Sequence, residues 1–412
     1  MSHGARYERS RRGDMDTAWM ALNRRKLLRM TAGGLMGSLF LPLVPIRLAS
    51  AAVRTGRRLI LIELSGANDG LNTIIPTADG IYQELRPTIG IETQRRAELS
   101  SEFALNAAMK DMMTGWSKGE MAVVHGLGYP GANRSHFKSI AIWETGGDGS
   151  QSGRQGWLTE DIEGLHGAET LDAHGISLGG GMGVFTSPGG MWMTMTSARQ
   201  FQNIEPLGIK AVSTQNEALS LLMDRARTLD GAMQSIAGKM SRSRSSRYNI
   251  RGGKLAEQMN HIASLIDAGV KAPVFKTLIG GFDTHENQSW RHRNLLEDLS
   301  RSISGLRTAL IRMGEWDNTL IMTYSEFGRR AYENESDGTD HGTAAPHFLC
   351  GGSVSGGLYG DHPDLHNLVD GDMEFTMDYR SLYQAVLGDW FEITPNRFSN
   401  FADERLTGML RA

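Results

Sequence analysis

The chain has 412 residues, 40% hydrophobic and 22% charged, with a formal net charge of −3. That balance is too apolar for a disordered or fibrous class, and a chain of this length buries a large core. A single cysteine, Cys350, excludes an internal disulfide framework and any Cys-x-x-Cys zinc site, so a metal would have to be held by histidines and carboxylates.

The first predicted element is an export signal. The run NRRKLLRMTAGGLMGSLFLPLVPIRLASAA joins a twin arginine, Arg24 and Arg25, to a moderately apolar stretch and an Ala49-Ser50-Ala51 triplet, the layout of a twin-arginine signal cut after Ala51. Asn23 and Leu27 depart from the usual residues around such a pair. The stretch from Met30 to Ile46 falls short of the ~20 residues of a membrane span and contains Pro42 and Pro45, which disfavours an uncleaved anchor. Residues 1–19 read as an extension, or as a start-site artefact ahead of Met20. The expected organisation is therefore 1–51, signal with its extension, and 52–412, one domain. Taking 9 Lys+Arg from 43 and 3 Asp+Glu from 46 leaves a mature charge of −9. With no basic run beyond RSRSSR at 242–247, nucleic acid is not an expected partner. No second apolar stretch is long enough to span a membrane.

Downstream, apolar strands alternate with amphipathic helices, the pattern of an α/β three-layer sandwich around a mostly parallel sheet. Strands are expected at 57–66, 121–129, 273–281, 318–327 and 347–352 (HFLCGG), each short, apolar and closed by Gly, Ser or an acidic residue. Helices are expected after Ser135, over 218–240, from Lys254 to Asp267, over 295–314 with Leu295, Leu299, Leu306 and Leu310 on one core-facing stripe, and over 378–391. The Gly- and Met-rich stretch 176–195 has no clear period and reads as loops and short strands.

Ligands of open α/β sheets bind beyond the carboxyl ends of the strands. Those ends here are polar: Asn68 and Asp69 after the first, Asn133, Arg134, Ser135 and His136 after the second, Asp283 and His285 after the third, and Glu326 after the fourth. The loop leading into the last strand adds Asp340 and His341. Carboxylates, imidazoles and one hydroxyl at one end of a sheet are the inventory of a hydrolytic site built on one or two divalent metals. Each member also has a plainer reading: Asp69 as a turn former, Asp283 or Thr284 as a helix cap, Ser135 as an N-cap, Glu326 as a solvated strand end, Asp340 in an Asx turn. His341, beside Gly342, has no obvious core role. A dinucleotide-binding reading of LSGANDGLN fails because GxGxxG is absent.

The segments LIELSGANDGLN, PGANRSHFKSIAIWETG, IGGFDTHENQ, YSEFGRR, GTDHGTAAPHFLCGG and YGDHPDL, with MDYRSLYQAVLGDW, resemble the successive signatures of an exported bacterial family, the domain of unknown function 1501. The resemblance spans essentially the whole mature chain. It implies an alkaline phosphatase-like fold shared with sulfatases and phosphoglycerate mutases. It further implies Ser135 as nucleophile with Arg134 beside it, Asp69, Asp283, His285, Glu326, Asp340 and His341 as metal ligands, and Asn68, Asn133 and His136 as substrate-binding. The implied cofactor is one or two divalent ions, Zn, Mn or Ca. Two departures from the superfamily pattern stand out: the Asp and His of DTH are closely spaced, and Ser325-Glu326 replaces an Asp-His pair, so one metal is at risk.

The resulting expectation is an exported metal-dependent phosphohydrolase acting on a small-molecule or polymer ester, carried by the twin-arginine translocase and periplasmic or secreted thereafter. Sulfatase chemistry is disfavoured because SHFKS lacks the residues of a formylglycine motif. The competing reading is a catalytically silent exported metal-binding or assembly protein that keeps the fold.

Overall fold

Strand β1 (Arg58–Ser65) sends Ile60, Ile62 and Leu64 into one core and Leu59 and Leu61 into another. Successive strand residues point to opposite faces, so a strand apolar at every position must be covered on both sides. The computed structural model describes residues 56–78, 80–148, 155–165, 167–197, 216–242 and 248–411, and the expected export signal lies outside them.

The remaining strands are β2 (Ile74–Pro76), β3 (Arg96–Glu98), β4 (Phe103–Asn106), β5 (Met121–Gly128), β6 (Gly175–Leu178), β7 (Trp192–Met195), β8 (Val274–Gly280), β9 (Thr319–Tyr324), β10 (Ala345–Cys350), β11 (Gly357–Tyr359) and β12 (Met377–Asp378). The central sheet runs β11-β5-β10-β9-β1-β8-β6-β7, with β12 also on β5. Its pairings are parallel except those of β10, which is antiparallel to both β9 and β5. The antiparallel course of β10 brings the loop before it to the same sheet end as the loops after β1, β5, β8 and β9. A small sheet, β2-β4-β3, stands apart. Its strands are too short to leave a period in the sequence, and none was expected there.

Five longer helices are α1 (His136–Thr145), α2 (Glu217–Arg242), α3 (Lys254–Asp267), α4 (Gln288–Met313) and α5 (Tyr379–Ala385). Helices α3 and α4 cover one sheet face through Leu255, Met259, Ile262, Leu299 and Leu306. Helices α1 and α5 cover the other through Ile142, Trp143, Tyr379 and Tyr383. The fold is thus mixed α/β in three layers. Helix α4 starts seven residues earlier than its leucines suggest, and its buried stripe is Leu296, Leu299, Ile303, Leu306 and Leu310. Leu295 packs only at the edge of that core. The C-terminal helix changes at Val386 into a π-helical turn ending at Trp390. Among the described residues no helix is long and apolar enough to cross a membrane.

Two histidines lie inside the sheet, His125 on β5 at 2% exposure and His347 on β10 at 0%. Burial pushes both pKa values down to about 3. Each is therefore neutral in the folded state and takes up a proton near 6.5 once unfolded. Their contribution is fully present above about pH 6.5 and is lost as pH falls from there toward 3. Each should cost about 2 kcal/mol of stability on going from pH 7.5 to pH 5. Urea denaturation at the two pH values checks this. His347→Gln should flatten the dependence, and an unchanged slope would show that His347 is already charged in the fold.

Candidate metal centre

The turn after β1 lets the strand-end loops converge. Gly66 has φ +108, and a Cβ there would lie 2.4 Å from the Asp283 amide nitrogen, so only glycine lets the β1 and β8 loops touch. Between these loops lies Arg329, fully buried. Its Nε donates to the Ala67 carbonyl at 2.8 Å and its Nη1 to Thr339 at 2.9 Å. Its Nη2 donates to Phe282 at 3.2 Å, to Asp283 Oδ1 at 2.7 Å and to the Gly66 carbonyl.

Around Asp283 Oδ1 stand three imidazole Nε2 atoms, those of His285 at 3.0 Å, His341 at 3.3 Å and His136 at 3.5 Å. His341 Nε2 lies 2.9 Å from His285 Nε2 and 3.1 Å from His136 Nε2. The other ring nitrogens settle the tautomers. His341 Nδ1 is 2.9 Å from the Arg134 carbonyl, His136 Nδ1 2.6 Å from Glu326 Oε1, and His285 Nδ1 3.2 Å from Asp340 Oδ1. Each of these oxygens accepts, so each Nδ1 carries the proton, and in the neutral ring each Nε2 presents a bare lone pair. Lone pairs converging with a carboxylate oxygen repel unless positive charge sits among them. Added protons satisfy the geometry poorly, because the single lone pair of His341 can accept from only one of its two neighbours. A cation satisfies every donor atom at once. His136, Asp283 and His341 offer ligand atoms within 4.8 Å of one another, and His285 joins through its contacts to His341 and Asp283.

The charges fit this arrangement. Burial opposes ionisation of Asp283, but the hydrogen bond and charge of Arg329 outweigh it and bring the carboxyl down to about 2. Burial also opposes ionisation of Glu326, which the His136 and Gly66 hydrogen bonds overcome, leaving its pKa lowered. Burial lowers the pKa of His341, whereas the hydrogen bond to Glu326 raises that of His136. The Asp283 side chain is 47% exposed and His341 23%, so the cluster opens to solvent and leaves a position for an incoming ligand.

The expected site residues divide into three places. Asp283, His285 and His341 meet at the cluster, joined by His136, which the sequence placed with the substrate. Glu326 and Asp340 stand behind imidazoles and orient them, the usual place of carboxylates around a histidine metal site. Asp69 lies apart: its Oδ2 is 2.6 Å from Arg86 Nη1, at 1% and 0% side-chain exposure, and Gln288 also donates to it. Asn68 is buried, its Oδ1 accepting from His292 Nε2 at 2.9 Å. Ser135 caps α1 without a side-chain capping bond, and its N–H donates to Asn133 Oδ1 at 2.8 Å. Arg134 pairs with Asp372 at 2.7 Å. Sequence reasoning missed Arg329, Arg86 and Asn334, whose side-chain amide donates to the His285 carbonyl at 2.9 Å and to Asp340 Oδ1 at 3.2 Å. An arginine buried by its own loop carbonyls leaves no local signal.

The chain belongs to the family described as protein of unknown function (DUF1501), whose model matches residues 113–400. No curated protein matches it. Among solved structures it is similar to the C-terminal periplasmic domain of EcEptC from Escherichia coli in complex with Zn, at 8% identity over 73% of this chain and 74% of that one, TM-score 0.32. It is similar also to alkaline phosphatase from the Antarctic bacterium TAB5, at 9% identity over 74% and 94%, TM-score 0.32. A sulfatase from Pseudoalteromonas sp. is similar at 13% identity over 87% and 74%, TM-score 0.35.

Replacing Arg329 by Met would leave carbonyls from three loops and Asp283 without their buried donor. The expected loss is about 3–5 kcal/mol in urea denaturation. A loss below about 1 kcal/mol would mean that water takes over its bonds.

Proposed function

We propose that this chain is an exported hydrolase of phosphate esters that uses one divalent cation held by His136, Asp283, His285 and His341, with Ser135 as nucleophile. The observation that carries the reading is the convergence of unprotonated imidazole nitrogens on one carboxylate oxygen, each ring backed by an oxygen acceptor. Of Zn, Mn and Ca, the imidazole-rich donor set favours Zn. When bound, such an ion supplies Lewis acidity that lowers the pKa of a nearby hydroxyl and offsets phosphoryl charge.

The chain's own residues would do the rest. Ser135 adjoins His136 and stands at the start of α1, where backbone N–H groups and the helix dipole favour an anion. Attack of Ser135 Oγ on phosphorus breaks the bond to the departing alcohol, which leaves with the serine proton. Water then hydrolyses the serine ester, releasing phosphate and restoring the hydroxyl. Asn133 holds the loop through the Ser135 N–H. Arg134 would help only if it left Asp372. Residues 1–51 would direct export through the twin-arginine translocase before cleavage.

A second reading, an exported metal-binding or assembly protein without turnover, draws support from two ion pairs. Arg134 and Asp69, expected at the chemistry, are occupied by Asp372 and Arg86.

Elemental analysis of the purified protein should find about one Zn per chain, and His341→Ala should lose most of it. Glu326→Gln should weaken metal affinity by about 10–100-fold through His136. On a panel of aryl phosphate mono- and diesters, Ser135→Ala should cut turnover by roughly a thousandfold with the metal retained. Metal without turnover in the parent protein would favour the second reading, and no metal would end both.

A further inference from the structure

Two of the segments that supply the metal cluster are joined behind it by one amide. Gln288, the first residue of α4, is fully buried, as are Thr284 and Thr339. Its Oε1 accepts from the Thr284 hydroxyl at 2.9 Å and from the Thr339 hydroxyl at 2.7 Å. Its Nε2 donates to Asp69 Oδ2. Burial opposes ionisation of Asp69, but the charge and hydrogen bond of Arg86 outweigh it and leave its pKa lowered. A carboxylate only accepts, so the amide nitrogen has to face Asp69 and the amide oxygen has to face the two hydroxyls.

The place of those hydroxyls in the chain gives the amide its meaning. Thr284 stands between Asp283 and His285, whose Oδ1 and Nε2 atoms are 3.0 Å apart in the cluster. Thr339 precedes Asp340, which backs the His285 ring, and His341. The Thr339 N–H also donates to the Thr284 carbonyl at 3.2 Å, and the Gln288 N–H to the Asp337 carbonyl at 2.9 Å. Arg329 grips these loops by their carbonyls and by Asp283. Gln288 grips them by the side chains that lie between and before the ligands. Among the described residues neither threonine hydroxyl has another hydrogen-bond partner. Loss of the amide would strand both in a dry interior, and the loops would have to shift to pair them again.

We infer that Gln288 is a positioning residue of the metal cluster. It fixes the loop of Asp283 and His285 against the loop of Asp340 and His341, and the Asp69–Arg86 pair fixes Gln288 in turn. Asp69 thereby acts on the cluster at one remove, without touching a cation. This role rests on the cluster holding a metal as proposed above.

The test is zinc affinity of the purified protein, read by competition with a chromophoric chelator, together with the visible spectrum of the Co(II)-loaded protein, which reports ligand geometry. Gln288→Met, close in size but without the amide, should weaken zinc binding about 10–100-fold and alter the Co(II) spectrum. Thr284→Val should shift both in the same direction by less, and Thr284→Ser, which keeps the hydroxyl, should match the parent. Combining Gln288→Met with Thr284→Val should cost little more than Gln288→Met alone, because the two act through one bond. If Gln288→Met does not fold, the contrast between Thr284→Val and Thr284→Ser decides. A merely structural role would lower the melting temperature of the metal-free variants and leave zinc affinity and the Co(II) spectrum as in the parent, which overturns the inference while the cluster stands. A parent protein that binds neither ion overturns the cluster and this role together.

Discussion

Everything at the open end of the sheet hangs on one buried guanidinium. Arg329 holds carbonyls from the loop after β1, the loop after β8 and the segment before β10, and it fixes Asp283 in the same plane of donors. No other side chain offers five N–H donors in a rigid fork. Carbonyls carry no counter-charge, so Arg329 favours the ionised form of Asp283 and brings its carboxyl down to about 2. A negative charge thus faces the three imidazoles at neutral pH. The scaffold and the electrostatics of the cluster are one interaction seen from two sides.

Helix α1 is anchored with comparable economy. At its start, His136 bonds Glu326, and the Ser139 hydroxyl meets both Tyr129 and the Glu326 carbonyl. At its end, Glu144 accepts from Lys276, which also lies 3.0 Å from Glu63 of β1. Two carboxylates thus share one buried ammonium, and burial leaves the Glu63 pKa raised. Because α1 is fixed at both ends and Ser135 is its N-cap, the backbone that carries the Ser135 hydroxyl is held next to His136.

Much of this was legible in the sequence, for a physical reason. Strands buried on both faces are continuous apolar runs, and helices α1 and α3 carry their own boundaries, so those elements stand where RLILIELS, HFKSIAIWET and Lys254–Asp267 put them. The gathering of Asp283, His285 and His341 was legible because polar residues at consecutive strand ends share one end of a parallel sheet. Their ranking was not. Whether a carboxylate faces the centre or stands behind an imidazole depends on loop geometry set by Gly66, by Gly338, whose absent Cβ lets the chain press on His285, and by Arg329. For that reason Glu326, expected at the centre, stands behind the His136 ring, while His136, expected beside the substrate, faces Asp283, and nothing near Asp69 announced that Arg86, seventeen residues on, would reach it.

The Asp69–Arg86 pair also bears on how many cations the site can hold. Arg86 contacts Asp69, Asn72 and the carbonyls of Arg330 and Ala331 from a fully buried position. A metal at Asp69 would have to displace a guanidinium with all these acceptors and strand its charge in a dry interior, at a cost of several kcal/mol. Charge that a second ion would bring is already supplied by the chain. Under the proposed hydrolysis, one cation would supply less charge stabilisation to the displacement than a metal pair. The rest of that stabilisation would then fall to the amide groups at the start of α1 and to whatever Arg134 can offer once released from Asp372.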